Sequence, residues 1–490
     1  MKIKNILKEI EFTFVSETFE GEISKIQYNS KKVSTDDMFF CIKGLKVDGH
    51  LYIDEAIKKG AKVIVLENVD FAPKVKGITV IKVTDTRKAL AKAAANYYDN
   101  PSRKINLIGI TGTNGKTTTS YMIKSILEEA GYKVGLIGTI ANFIGKTPIP
   151  SERTTPESLE LQCLLDKMVK EGTEYCVMEV SSHSLALDRV YGIKFKLSMF
   201  TNLTQDHLDF HKTFENYYKC KLKLFKNSEY AAINVDDSYG KRVLRDIKED
   251  NIIKSTYSIK EESDFKAYNI TSYPKGISFN MDLQNTKYNM KISIPGNYNI
   301  YNALGAISIC VKSGIDMKYI QKGLERSIVP GRCETVAKDK NLGFDIILDY
   351  AHTPDGLENV LSTLKELTKG RLISVYGCGG DRDKGKRPIM GSIGEKLSDI
   401  TIITSDNPRS EDPINIIEDI ISGIKDKENC IVIEDRKKAI EKAISIAKKD
   451  DVILIAGKGH ETYQVLKEKT IHFDEREIVE EILNNKFSGK

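Results

Sequence analysis

No apolar run in this 490-residue chain reaches 18 residues, which excludes a transmembrane helix of ordinary length. The first fifteen residues, Met1 to Val15, interleave lysine and glutamate with apolar side chains and do not read as a signal peptide. Eight cysteines are scattered at positions 41, 163, 176, 220, 310, 333, 378 and 430 without one C-x-x-C pair. That spacing argues against a disulfide framework and for free thiols in a reducing compartment, so a cytoplasmic protein is expected. No dense basic and aromatic stripe occurs, and a net charge of +5 over this length does not point to nucleic acid. Repeats and low-complexity tracts are also missing. What remains is ordinary for a globular protein, 40% apolar and 29% charged, and the length is too great for one core, so two to four domains are expected.

The most informative stretch is Gly109-Ile-Thr-Gly-Thr-Asn-Gly-Lys-Thr-Thr-Thr119. It follows an apolar run from Ile105 to Ile110 and opens an apolar-periodic segment from Ser120 to Ala130, so it reads as strand, glycine-rich turn and helix. Gly112 and Gly115 would let backbone N–H groups converge on a phosphate at a helix N-terminus; Lys116 adds a mobile cation and Thr117 a hydroxyl for Mg²⁺. Ile110 stands where G-x-x-x-x-G-K-[ST] would have its first glycine, and a strand-to-helix turn without a ligand is the blander alternative.

Before this stretch, short strands alternate with helices, as in the helix Tyr52 to Lys59 and the strand Ala61 to Glu67. Three polar and glycine-bearing segments there, Tyr28 to Val33, Phe39 to Gly44 and Val47 to His50, read first as turn chemistry. Asp99-Asn-Pro-Ser-Arg-Lys104 is a cluster of breakers that predicts a boundary. After it the pattern is α/β, with strands ending at Val180, Phe200 and Val235, interrupted by alternating residues 265 to 295 that predict an antiparallel insertion. Val329-Pro-Gly-Arg332 marks a second boundary. The last 160 residues again alternate strand and helix, with strands near 344 to 349, 371 to 376, 399 to 404, 430 to 434 and 451 to 456. Such alternation implies a parallel sheet, whose ligands sit outside the carboxyl ends of the strands. Four polar exits from those ends predict a second binding surface: Asp349 to Asp355, Gly377 to Asp383, Ser405 to Arg409 and Ala456 to Glu461. The expected fold is therefore α/β in three domains: a small N-terminal one (1–103), a central P-loop-type ATPase with a mainly parallel sheet (104–330), and a Rossmann-like, doubly wound C-terminal one (331–490).

Of only seven histidines, five (183, 207, 211, 352 and 460) follow strand ends. Glu179 and His207 leave two strands of the cradle's own sheet and are candidates to ligate Mg²⁺ beside Thr117. A hydrogen-bonded structural role is the ordinary alternative for each. Lys221 lies between Lys219 and Lys223 on one helical stretch, and residue chemistry does not separate the three.

Taken together, Gly112-Thr-Asn-Gly-Lys-Thr117, Glu179-Val-Ser-Ser-His183, Thr204-Gln-Asp-His-Leu-Asp209, Gly296-Asn-Tyr-Asn-Ile-Tyr-Asn302 and Asp349-Tyr-Ala-His-Thr-Pro354 resemble the Mur ligases, ATP-dependent amide-forming enzymes of peptidoglycan synthesis. Cys378-Gly-Gly-Asp-Arg-Asp383, Asp406-Asn-Pro-Arg409 and Gly457-Lys-Gly-His-Glu461 resemble the branch that adds meso-2,6-diaminopimelate to UDP-N-acetylmuramoyl-L-alanyl-D-glutamate. The resemblance runs in order through nearly the whole chain. It implies that Gly112, Thr113, Asn114, Gly115, Lys116, Thr117 and Thr118 hold the ATP phosphates, with Asn299, Asn302, Arg332 and Asp349 on the adenosine or γ-phosphate side. It implies magnesium on Thr117, Glu179, His207 and Lys221, with Lys221 carbamylated to N6-carboxylysine, and a catalytic set of Lys116, Glu179, His207 and Lys221. Ser30, Thr154, Thr155, Ser181 and Arg189 would bind the UDP-sugar dipeptide; Arg382, Asp406, Asn407, Pro408, Arg409, Gly457 and Glu461 would bind the incoming amino acid. It further implies a monomer acting on small molecules, without membrane or nucleic-acid partners, serving cell-wall biogenesis and through it cell shape and division.

Two departures stand out. Asn29-Ser30-Lys31 occupies the place of a usual Asp-Ser-Arg, and Leu187 the place of a frequent glutamine near the substrate. The implied chemistry activates the D-glutamate γ-carboxylate by phosphoryl transfer, and the acyl phosphate is then attacked by an amine. Diaminopimelate exceeds lysine by one distal carboxylate, for which Arg409 supplies a bidentate cation that lysine-adding relatives lack. A thioether analogue of the diacid satisfies the same contacts. Rival readings are the lysine-adding ligase, a folate-extending amide ligase, an ATP-gated switch and a phosphotransferase. Sites spread over three domains also predict closure about Asp99 to Lys104 and Val329 to Arg332, visible as a change in solution scattering when nucleotide and substrate are added.

Overall fold

The computed structural model describes residues 1–16, 20–44, 47–273, 276–337 and 340–487. Its centre is a nine-stranded sheet built around the cradle strand Asn106–Thr111. On one side of that strand lie Leu197–Phe200, Tyr230–Asn234, Ile253–Ser258 and Phe265–Lys266; on the other lie Tyr175–Glu179 and Val134–Ile137. All of these run parallel, and an antiparallel hairpin, Asn142–Ile144 with Thr147–Ile149, completes the edge.

The cradle strand is apolar at nearly every position because both of its faces are covered. Ile108 and Ile110 enter a core shared with the cradle helix Lys116–Glu129 and the helix Tyr298–Lys312, while Leu107 packs on the opposite face with Met178, Phe200 and Phe225. Register does the rest. Glu179 sits opposite Ile110, and Phe200 opposite Thr111, so whatever leaves those two strands emerges beside the glycine-rich turn.

The alternating insertion is antiparallel as expected, three strands at Tyr268–Tyr273, Gly276–Leu283 and Thr286–Ile292; residues 274 and 275 of that stretch lie outside the described residues. N-terminal to the cradle is a five-stranded sheet, parallel except for the edge strand Thr13–Phe14. Its core reaches the central part through Leu159 of the helix Ser158–Lys170, and Tyr28 donates to Glu160 on the same helix at 3.0 Å.

Beyond Arg332 is a six-stranded sheet in the order Glu334–Val336, Asp345–Asp349, Val452–Ala456, Leu372–Tyr376, Ile400–Ile403, Cys430–Val432, parallel except for the first. That antiparallel edge strand and the hairpin Tyr463–Val465/Thr470–His472 were not expected from the sequence. Both are three residues long, too short for alternation to register. The four polar exits leave adjacent strands at one edge of this sheet, as the pattern of strand ends requires. No helix among the described residues is long and apolar enough to cross a membrane.

Candidate active site

A cleft of about 240 Å³ lies where the glycine-rich turn faces the loop that follows Asp349, lined from both sides of Arg332. Gly112 and Gly115 are left-handed, at φ +152° and +86°, and each is hemmed in. A β-carbon on Gly112 would meet the Thr201 hydroxyl, and one on Gly115 would lie 2.3 Å from Asn302 Oδ1. Gly115 is also the N-cap of the cradle helix and has no side chain to cap it, so the first-turn N–H groups face the cleft.

Lys116 Nζ turns back onto the turn itself, donating to the carbonyls of Gly112 (2.9 Å) and Thr113 (2.7 Å). Lys221 Nζ donates to the same Gly112 carbonyl at 2.7 Å and lies 4.5 Å from the centre of the Tyr217 ring. Burial, and then the neighbouring Lys116, push the Lys221 amine well below the ordinary lysine value. Of the three lysines on the helix Phe214–Phe225, Lys221 is 1% exposed, whereas the side chains of Lys219 and Lys223 are 66% and 49% exposed. The sequence held that distinction. Lys221 follows Tyr217 by four residues and precedes Leu224 and Phe225 by three and four, which is the buried stripe of the helix.

Glu179 is fully buried and accepts from the Thr117 hydroxyl (2.9 Å), the Thr139 hydroxyl (3.0 Å) and the Thr139 backbone N–H (3.0 Å). His207 has a left-handed backbone (φ +54°), and its Nε2 lies 3.3 Å from Asp206. Burial pushes its imidazole down to about 3, so it is neutral with a lone pair at physiological pH. Among the described residues no three His, Cys, Asp or Glu side chains form a metal-ligating group by themselves. The donor set of a hydroxyl, a buried carboxylate, a neutral imidazole and a buried lysine amine fits a hard divalent ion only in part, because an amine is a poor ligand for such an ion and a carbamate oxygen is a good one.

Asn299 and Asn302 reach the cradle from the helix Tyr298–Lys312, with Asn302 Nδ2 donating to Asn299 Oδ1 (2.9 Å) and Asn302 Oδ1 accepting from Thr119 (3.3 Å). Arg332 donates to Thr117 at 3.5 Å and lies over the Tyr350 ring. Asp349 accepts from the N–H groups of Cys333 and Ala351, and burial pushes its carboxyl up. Asn114 donates to Asp355 at 2.5 Å, joining the turn to the first turn of the helix Pro354–Leu367, 241 residues further on.

Thr154 and Ser181 also line this cleft, and Thr155 and Arg189 adjoin it. Thr155 donates to the Glu179 carbonyl (2.8 Å) and accepts from the Ser181 N–H (3.1 Å), while Arg189 donates to the Thr155 carbonyl (3.1 Å) and pairs with Glu157 (2.8 Å). Ser30 is not in this group; it lies in the N-terminal sheet region and donates to Glu55 at 2.7 Å. Asn29 accepts from the Lys31 N–H, a cap that aspartate would make equally well. Leu187 closes the helix Ser182–Ala186 with its backbone N–H.

A second cluster occupies the edge of the C-terminal sheet. Arg409, left-handed at φ +54°, donates through Nη1 to the carbonyls of Gly380 (2.7 Å) and Asn407 (3.4 Å) and makes no ion pair among the described residues. Asn407 donates to Glu461 at 3.0 Å, and Gly457, at φ +117°, passes so near Asp406 that a β-carbon would lie 2.5 Å from its carboxylate. Pro408 is buried, its carbonyl abutting Gly380, and Arg382 is exposed on the neighbouring exit. Asp383 of that exit accepts from Gln205 at 3.3 Å, which links the two clusters. Sequence reasoning passed over Thr139, Asp206, Asp355 and Lys458. Asp206, Asp355 and Lys458 each lie inside a quoted motif, where neighbouring residues drew the attention; Thr139 lies in none.

Family models match three consecutive stretches: "Mur ligase family, catalytic domain" at 22–98, "Mur ligase middle domain" at 110–310 and "Mur ligase, glutamate ligase domain" at 331–459. A Clostridium tetani protein named UDP-N-acetylmuramoyl-L-alanyl-D-glutamate--2,6-diaminopimelate ligase is 59% identical over 485 residues, 99% of each chain. A Clostridium botulinum protein of the same name is likewise 59% identical, with 99% of each chain covered. A solved structure of a ligase of that name superposes with a TM-score of 0.67 at 28% identity, covering 96% of this chain and 97% of that one.

Proposed function

The chain belongs to the Mur ligase family, and from that premise we infer that it is an ATP-dependent ligase adding meso-2,6-diaminopimelate to UDP-N-acetylmuramoyl-L-alanyl-D-glutamate in the making of peptidoglycan precursor. The observation that carries this reading is the pairing of two strand-end clusters: a phosphate cradle on the central sheet, and on the C-terminal sheet an arginine that forms no ion pair with a carboxylate among the described residues. An amide ligase needs both, since it must activate one carboxylate and present a second amino acid to it. A phosphotransferase or an ATP-gated switch has no use for the second.

In the proposed reaction Gly112 to Thr118 hold the ATP phosphates through backbone N–H groups, and Lys116 leaves its two carbonyl partners to follow the charge of the transferring phosphoryl. Asn299, Asn302, Arg332 and Asp349 bound the nucleotide. Thr154, Thr155, Ser181 and Arg189 orient the dipeptide so that its γ-carboxylate meets the phosphoryl, with Ser30 taking the uridine end in the N-terminal domain. Attack of the carboxylate oxygen on the γ-phosphorus expels ADP and leaves an acyl phosphate; the amine of the diacid adds to its carbonyl, and phosphate departs. A magnesium ion would be held by Thr117, Glu179, His207 and a carbamylated Lys221, and when bound it would neutralise phosphate charge. Arg382, Asp406, Asn407, Pro408, Arg409, Gly457 and Glu461 form the proposed amino-acid site, with Arg409 on the distal carboxylate.

The three sheet regions are proposed as domains spanning 1–103, 104–330 and 331–490, acting as a monomer in the cytoplasm. The test is ADP and phosphate release with the UDP-muramoyl dipeptide and Mg²⁺, with meso-diaminopimelate or L-lysine added in parallel. Release that requires the dipeptide and strongly prefers the diacid is expected. Preference for lysine would overturn the specificity, and no release with either would overturn the ligase.

A further inference from the structure

Lys458 is fully buried, a rare state for a lysine, and the residues around it are those of the proposed amino-acid site. Its Nζ donates to Asn407 Oδ1 at 3.1 Å and to Glu461 Oε2 at 3.3 Å, and lies 3.9 Å from Asp406. The rings of Tyr463 and Phe473 flank it at 5.7 and 6.0 Å. Asp406 and Asn407 follow the strand Ile400–Ile403 while Lys458 follows Val452–Ala456, and one strand, Leu372–Tyr376, separates the two. Lys458 therefore bridges two strand exits that the sheet itself does not join.

This bridge decides which way the Asn407 amide faces. An ammonium offers only donors, and the Val465 N–H is a second donor to the same Oδ1 at 2.9 Å. With both donors on the oxygen, the amide nitrogen must face the opposite side, where it meets Glu461 Oε2 at 3.0 Å. An inverted amide would set its N–H groups against two donors and leave all of them unsatisfied. We propose that Lys458 is a positioning residue for the incoming diamino diacid, fixing the Asn407 amide and the Glu461 carboxylate in the orientation and charge state that grip its distal amino-acid group. The inference rests on the ligase reading given above.

The charge state follows from the surroundings of Glu461. Asp406, Arg409, Tyr350, Tyr463 and Arg436 face it together with Lys458, and burial raises its carboxyl, with Lys458 the first of the opposing influences. Removing that cation leaves Asp406 and Glu461 as neighbouring buried carboxylates, one of which then keeps its proton nearer neutrality. A protonated Glu461 does not attract the diacid's ammonium.

The experiment is steady-state ADP release by the full chain, wild type and Lys458→Met, varying each substrate in turn. The KM for meso-diaminopimelate is expected to rise by about tenfold or more, with the KM values for ATP and dipeptide within about twofold. The ratio of variant to wild-type KM for the diacid is expected to shrink as pH rises, as Glu461 regains its charge. Lys458→Arg, which keeps the charge, is expected to abolish that pH dependence. Should the methionine variant lack a cooperative melt, Lys458→Gln carries the same expectations. A joint rise of all three KM values, or a diacid KM within twofold of wild type at every pH, overturns the inference. Wild-type release without any dependence on the diacid would instead bring down the ligase reading, and this inference with it.

Discussion

Replacing Arg409 by methionine separates specificity from the rest of the chemistry. The backbone strain at φ +54° is common to both residues, and the stem volumes are similar, so the change removes the guanidinium and little else. Two losses follow. The carbonyls of Gly380 and Asn407 lose an Nη1 donor, worth about 1 kcal/mol each to the local fold. In the proposed complex, the distal carboxylate of the diacid would lose its bidentate partner, at about 2–5 kcal/mol for a desolvated pair. Arg409 is only partly buried, which places the second loss toward the lower end, about 2–3 kcal/mol, or about 30- to 150-fold in kcat/KM. L-lysine has no carboxylate there, so its own kcat/KM should change by less than about threefold. Measuring ADP release against each amino acid gives the ratio directly, and an R409M enzyme that keeps the wild-type preference for meso-diaminopimelate would refute the assignment.

Lys221, buried and depressed toward the neutral amine, is expected to add carbon dioxide: activity should fall after incubation in carbonate-free buffer and return with bicarbonate, and a carbamate ¹³C signal should be absent from Lys221→Met. Burial holds four histidines, His207 and His460 at about 3 and His211 and His352 at about 4, below their unfolded value near 6.5. The unfolded chain therefore binds more protons through the window from about 6.5 down to about 4, and each neutral histidine subtracts about 1.4 kcal/mol of stability per pH unit as pH falls. Denaturant melts should show a smaller loss between pH 7 and pH 5 in a His352→Gln/His460→Gln variant than in wild type, and equal losses would count against this. Arg436 and Glu475 are both fully buried and paired at 2.7 Å, so Arg436→Met should cost about 3–5 kcal/mol in unfolding free energy. The double variant Arg436→Met/Glu475→Leu should recover most of it, and a single-variant cost below about 1 kcal/mol would contradict the pairing.

What the sequence made legible was local. Gly112, Gly115, Lys116 and Thr117 fall within six residues of one another, and the strand before and helix after them follow from an apolar run and an apolar period. Glu179 and His207 could be placed beside the turn because parallel strands deliver their ends to one edge, a rule that needs no knowledge of strand order. Contacts across long separations were not legible. Nothing at Asn114 announces Asp355, and nothing in Gly457-Lys-Gly-His-Glu461 says that its lysine points inward rather than into solvent, because a lysine flanked by glycines carries no periodicity to read. Lys221 is the intermediate case: its stripe was present in the sequence, but a lysine is ordinarily taken as the polar face of a helix, and here it belongs to the apolar one.

The inward turn of Lys221 also constrains its chemistry. Two lysines donate to one carbonyl, that of Gly112, and two ammonium groups so placed would repel across a few ångströms of poorly solvated space. The conflict is relieved if one of them is neutral, and the more buried one, Lys221, is the less able to keep its proton. A neutral buried amine is a nucleophile, and its carbamate would carry a negative charge toward Lys116, turning a repulsion into an attraction. The same step would convert the weakest member of the proposed metal set into an oxygen ligand. The position that looks least favourable for a charged lysine is thus the one where a carbamylated lysine would satisfy both its cationic neighbour and the proposed ion.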